Sequence, residues 1–172
     1  MKKRKMIFLD ECGINTNMTR YYGRAKGKKR VHDYVPAKRT KRKTVLSSVR
    51  LDGTLAYTFF QGALTGKIFL AYIQNILVPT LHKGDIVVMD NLSCHKVKGV
   101  ADAIEAVGAS VLYLPPYSPD LNPIEMMWSK IKSLLRKWKA RSSEVLNQFI
   151  EEAFSAVTTE NIDNWFSACG YY

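Results

Sequence analysis

Ile86-Val87-Val88-Met89-Asp90-Asn91 is a run of four apolar residues that stops on a carboxylate and an amide. A run this short, without a polar face, reads as a strand buried on both sides of a sheet. The same pattern occurs at the start of the chain, in Met6-Ile7-Phe8-Leu9-Asp10. Between the two runs, Thr65 can cap a helix reaching about Leu77, with Ile68, Phe69, Tyr72, Ile73 and Ile76 on one face. A strand that arrives through such a right-handed helical crossover lies parallel to its neighbour. Residues just beyond the carboxyl ends of parallel strands line the ligand crevice. Asp10 and Asp90 therefore share that crevice if their strands are adjacent.

Outward from these strands, Thr44–Arg50 and Leu55–Gln61 are rich in β-formers and flank Leu51-Asp52-Gly53-Thr54, whose Asp-Gly marks a hairpin. A helix around Val97–Val107 stops at Gly108, and Ser110–Leu114 is a further strand. Pro115–Pro119 is a rigid loop, followed by helices at Pro123–Lys139, Ser143–Ala156 and near Asn161–Ala168. The expected class is α/β: a mixed sheet, three antiparallel strands then parallel ones, flanked by helices. Trp128, Ile131, Leu134, Leu135 and Trp138 recur at helical spacing, as a core-facing stripe does.

At 172 residues the chain is the size of one domain, and no internal repeat or second core is visible. No apolar run approaches the ~20 residues of a membrane span, and Met1-Lys2-Lys3-Arg4-Lys5 leads into too short an apolar stretch for a secretory signal. The expected location is the cytoplasm, in association with the nucleoid. Cys12, Cys94 and Cys169 are odd in number with no C-x-x-C pair, so reduced thiols are expected. Neither they nor His32, His82 and His95 have zinc-ligand spacing.

The net charge of +11 is unevenly spread: residues 1–50 hold 16 Lys/Arg and 3 Asp/Glu, residues 51–172 hold 10 and 12. The densest stretch carries Arg20, Arg24, Lys26, Lys28, Lys29, Arg30, Lys38, Arg39, Lys41, Arg42 and Lys43. A block of this density suits a polyanion such as DNA, bound with counterion release. It lacks the apolar face that a membrane-surface helix needs.

Asp10, Asp90 and Glu125 are the candidate catalytic residues and metal ligands. Glu125 opens the helix after Leu114-Pro115-Pro116-Tyr117-Ser118-Pro119-Asp120-Leu121-Asn122-Pro123-Ile124, and 34 residues separate it from Asp90. Three carboxylates converging from two strand ends and a helix suit a pair of hard divalent cations and phosphodiester chemistry. Each also has an ordinary reading. Asn122, Pro123 and Glu125 occupy N-cap, N1 and N3, the positions of a capping box. Asp90-Asn91 can be a simple strand-to-helix turn. Glu11 points away from Asp10 if the strand continues, which makes it structural or a support to the site.

Phe8-Leu9-Asp10-Glu11, then Val88-Met89-Asp90-Asn91 with His95, then the proline-rich block through Met126-Met127-Trp128, resemble the signature blocks of mariner-like transposases. The similarity is greatest to the bacterial insertion sequence six-thirty family, and it covers the chain from Met6 to about Phe166. The resemblance implies a ribonuclease-H-like catalytic domain with an Asp-Asp-Glu triad holding two Mg²⁺ ions, with Mn²⁺ as substitute. It implies DNA cleavage followed by 3′-hydroxyl strand transfer. Asn91 and His95 would orient a metal-bound water or contact the scissile phosphate. Members of that family carry helix-turn-helix segments upstream of the first Asp, whereas nine residues precede Asp10. The expectation is one catalytic domain over residues 1–172, with element-end recognition encoded separately or lost. The partners implied are DNA, as element ends and target, and a second protomer when bound to DNA. Two other readings stay open: another ribonuclease-H-like nuclease, and a non-catalytic DNA-binding remnant.

Overall fold

The computed structural model describes residues 5–27, 29–36, 42–116 and 118–171. Lys28, Lys38, Arg39 and Lys41 of the basic block lie outside them, as do Tyr117 and the first four residues. Five strands form one sheet: β1 (Met6–Ile14), β2 (Lys43–Arg50), β3 (Leu55–Gln61), β4 (Ile86–Met89) and β5 (Ser110–Tyr113). Their spatial order is β3-β2-β1-β4-β5. β1–β2 and β2–β3 are antiparallel, and β4 pairs parallel with both β1 and β5. This is the mixed sheet that the sequence predicts, with the two short apolar runs side by side at its centre.

β1 runs four residues past Asp10, a difference from the expected strand. Its parallel ladder with β4 closes at Phe8↔Val88, but its antiparallel ladder with β2 continues from Ile7↔Arg50 to Ile14↔Lys43. The ladder with β2 keeps Cys12-Gly13, poor in strand-forming side chains, as strand. β1 and β4 thus part just before Asp10 and Asp90, leaving a mouth between them.

Alternation along β1 sends its residues into two cores. Met6, Phe8, Cys12 and Ile14 pack with Ile124, Met127, Trp128, Ile131 and Leu135 of α3 (Pro123–Trp138). The same core takes Leu146, Ile150 and Phe154 of α4 (Ser143–Ser155), and Ile162 and Phe166 of α5 (Thr159–Ala168). On the other face Ile7 and Leu9 pack with Phe69 and Tyr72 of α1 (Gly66–Tyr72) and with Val100 and Ile104 of α2 (Val100–Glu105). Thr65 caps α1 as expected, its Oγ1 accepting from the Ile68 amide at 3.4 Å. The α-geometry then gives way to a π turn (Ile73–Leu77) and a 3₁₀ turn (Val78–Thr80) containing Pro79, which has no amide to donate. α2 is shorter than expected because Val97 is extended and Gly99, at φ 96°, is the N-cap, so the helix starts only at Val100. Gly53 in the β2–β3 hairpin has φ 94°, a conformation other residues rarely adopt.

At the end of the central strands opposite the mouth, Arg50 and Asp85 form a buried ion pair, Nη2 to Oδ2 at 2.8 Å. Arg50 also donates to the Thr80 carbonyl at 2.9 Å, and the His82 amide donates to Asp85 Oδ2 at 2.7 Å. This network ties the end of β2 to the start of β4.

The three cysteines are free thiols. Among the described residues, no helix is long and apolar enough to cross a membrane.

Candidate active site

Asp10, Asp90 and Glu125 line one open cleft of ≈ 470 Å³ at the mouth between β1 and β4. Asn91, Leu92, Leu114, Pro115, Pro116, Ser118, Pro119 and Asn122 complete its walls. Backbone bonds explain the shape. The Leu114 amide donates to the Met89 carbonyl at 2.8 Å, carrying the β4–β5 pairing to the rim. The prolines then stiffen the wall until a 3₁₀ turn, Pro119–Leu121, hands the chain to α3.

Asp10 is half-buried on the α3 face of the sheet. Trp128 Nε1 donates to its Oδ2 at 3.0 Å. Burial and the neighbouring Glu11 charge push its carboxyl up to about 7, Glu125 adds to the push, and the Glu11 amide and Trp128 oppose it. Glu125 and Trp128 are three apart on α3, so one helical face brings both to Asp10. Trp128 is thus more than the core residue that its helical spacing predicts. The Glu-x-x-Trp spacing was the signal for its second role.

Asp90 directly follows β4 and turns toward His95, whose Nδ1 lies 2.6 Å from its Oδ1. The Leu92 amide donates to the same oxygen at 3.1 Å. Burial raises the Asp90 carboxyl, but the His95 hydrogen bond, the Leu92 amide and the His95 charge outweigh it, and the group sits below the ordinary carboxylate value. His95 is completely buried, its other nitrogen 3.2 Å from Glu11 Oε2 and its ring stacked on Phe69 at 4.4 Å between centroids. Burial disfavours a charged ring, yet the two carboxylates outweigh it and push the imidazole up to about 9. His95 is therefore behind the cleft wall rather than in it, while Asn91 is exposed on the rim.

Glu125 is exposed on the first turn of α3. Asn122 sits at the N-cap position, but its side chain makes no cap hydrogen bond, so the capping box allowed by the sequence does not form. Its Oδ1 is instead buried at the cleft without a partner. That orphan acceptor suits a donor such as a cation-held water, and the all-oxygen acids suit Mg²⁺ or Mn²⁺. Among the described residues, no three His, Cys, Asp or Glu side chains are yet gathered closely enough to hold a metal ion. The acids share a cleft but do not form a closed cage.

Among the described residues, no Lys or Arg of the basic block lines this cleft. Arg20, Arg24, Lys26, Lys29 and Arg30 are exposed on the loop between β1 and β2, where the described residues form no helix or strand. Arg141 donates to the Thr16 and Met18 carbonyls, and the Arg136 guanidinium lies 4.9 Å from the Tyr21 ring centroid, fastening the loop near the end of α3. Lys43 is drawn into β2, buried, with its ammonium over the Phe59 ring. Arg42 lies across Gly13, where a Cβ would collide with its guanidinium.

The fold matches that of the catalytic domain of Mos1 mariner transposase. A Mos1 pre-cleavage transpososome is 17% identical with a TM-score of 0.76, over 98% of this chain and 56% of that one. A Mos1 paired-end complex with Mg gives 17% and 0.78, over 99% and 55%. The isolated Mos1 catalytic domain gives 16% and 0.66, over 98% and 82%. The chain thus spans a little over half the length of the Mos1 chains in those two assemblies. No curated protein matches it. The family model for DDE superfamily endonucleases matches residues 5–147, and the chain belongs to that family.

Proposed function

We propose that this chain is the catalytic domain of an insertion-sequence transposase of the mariner-like, insertion sequence six-thirty kind. The observation that carries the reading is the meeting of Asp10, Asp90 and Glu125 at one cleft from two strands and a helix. In the first reaction a water attacks a phosphodiester at the element end, leaving a 3′-hydroxyl and a 5′-phosphate. In the second that 3′-hydroxyl attacks a target phosphodiester, forming the new bond as the target's own 3′-oxygen leaves.

The three carboxylates would hold two Mg²⁺ ions, with Mn²⁺ as substitute. Bound there, the ions would acidify the attacking hydroxyl and neutralise charge on the leaving oxygen. Trp128 orients Asp10, and His95 orients Asp90. Asn91 on the rim would contact a phosphate. The prolines between Leu114 and Pro119 supply a stiff wall against which a strand can be positioned. Arg20, Arg24, Lys26, Lys29 and Arg30 would neutralise DNA phosphates outside the cleft, and Lys28, Lys38, Arg39 and Lys41 extend the same block in sequence. Element ends and target DNA are the substrates. By the resemblance, a second protomer and a helix-turn-helix half that recognises the ends join on DNA, at the nucleoid.

The test is joining of a duplex with a free 3′-hydroxyl to supercoiled plasmid in Mg²⁺. The reading expects joining by the wild-type protein, none by Glu125→Gln, and equal retardation of DNA by both. Joining by Glu125→Gln at the wild-type rate contradicts it.

A further inference from the structure

The β1–β4 ladder ends at Phe8↔Val88, so no backbone pairing from that ladder spans the level of Asp10 and Asp90. One buried side chain does. His95 Nδ1 meets Asp90 Oδ1 at 2.6 Å, and its Nε2 meets Glu11 Oε2 at 3.2 Å. Glu11 is the chain neighbour of Asp10, pointing to the opposite face of β1. The imidazole therefore links the backbone that carries Asp10 to the carboxylate of Asp90.

We propose that Glu11 and His95 form a strut that sets the separation and orientation of Asp10 and Asp90, making both positioning residues for the cation-holding cleft. The inference rests on the reading of Asp10 and Asp90 as cation ligands. Three features make the strut stiff. His95 is fully buried and stacked on Phe69 at 4.4 Å, which leaves the ring little room to swing. Its backbone is fixed in the 3₁₀ turn Ser93–Lys96, with its amide donating to the Leu92 carbonyl at 3.1 Å. Both ring nitrogens face carboxylate oxygens, which can only accept, so each must donate. A single rigid donor pair spans a gap that two flexible side chains would leave free to vary. The sequence separation of 84 positions from Glu11 to His95 hides the pairing.

Outer partners that orient metal-binding side chains typically contribute about 10- to 100-fold in metal affinity. The test is Mn²⁺ binding to the full chain, followed by loss of the free-ion paramagnetic resonance signal, with folding checked by circular dichroism. Glu11→Ala and His95→Gln are expected to weaken binding about tenfold or more. Glu11→Gln keeps an oxygen that accepts from Nε2 and is expected to recover most of the affinity. Equal losses in Glu11→Ala and Glu11→Gln would assign the effect to the Glu11 charge and overturn the strut, as would wild-type binding by Glu11→Ala. Asp90→Asn is the control: wild-type Mn²⁺ binding there overturns the ligand reading itself, whereas loss there with intact binding in Glu11→Ala overturns the strut alone. Should His95→Gln not fold, the two Glu11 variants decide.

Discussion

Trp128 donates its indole N–H to Asp10 Oδ2 at 3.0 Å, so the helix that carries Glu125 is bonded directly to the strand that carries Asp10. Helix packing and site geometry are therefore one contact. Trp128→Phe retains the ring's burial but removes the donor. It is expected to cost about 1–2 kcal/mol of stability and to raise the Asp10 titration midpoint further, because the indole is one of the groups holding it down. Denaturant titration and carboxyl-carbon NMR across pH measure both.

Asp10 itself should weaken the cation-free fold at neutral pH. Its folded pKa of about 7 is above the ordinary 3.8. A group raised in this way contributes stability below the unfolded value and loses it as pH climbs to the folded one. Asp10→Asn is neutral throughout. In chelator it is expected to be more stable than wild type by on the order of 2 kcal/mol above pH 7, with the advantage shrinking to nothing below about pH 4. Thermal melting across pH checks this, and a constant difference would contradict it.

The Arg50–Asp85 pair lies far from the cleft in function but holds β2 to β4. Asp85→Asn removes the buried counter-charge of the guanidinium and leaves it only the exposed Asp52 at 3.7 Å. The expected loss is about 3 kcal/mol, read as a lower denaturation midpoint with an unchanged slope.

Binding of non-specific duplex DNA should depend on the exposed loop. Replacing Arg20, Arg24 and Lys26 by Gln is expected to flatten the slope of log K against log salt by about 3, close to one unit per released phosphate contact. Fluorescence anisotropy over a salt series reads the slope directly. An unchanged slope would mean that these residues do not meet phosphates.

The strand framework was legible because its signals are local. Four-residue apolar runs ending at Asp10 and Asp90, an Asp-Gly hairpin and Thr65 before an apolar stripe each need only a few neighbours to be read. The extension of β1 through Ile14 was not, since the strand it pairs with there is β2, across a long loop. Ser142 and Thr158 cap α4 and α5 by the same side-chain logic as Thr65, and Thr158 adds a capping box with Asn161 that sets the start of α5 earlier than periodicity suggested. The acids at the cleft were found through their positions at element ends and the proline-rich block. Their supports were not. The pairing of His95 with Glu11 bridges the mouth between two strands, and Trp128 looks apolar until its N–H is placed beside Asp10. Asn122 shows the reverse case: a good cap by sequence, it makes no cap and faces the cleft.

The central claim is that Asp10, Asp90 and Glu125 act together on DNA with divalent cations. Nicking of supercoiled plasmid tests it most directly, comparing wild type and Asp90→Asn in Mg²⁺, Mn²⁺ and chelator. The account predicts cation-dependent nicking by the wild-type chain and none by the variant, with equal DNA binding by both. Nicking by Asp90→Asn at the wild-type rate, or undiminished nicking in chelator, would contradict it.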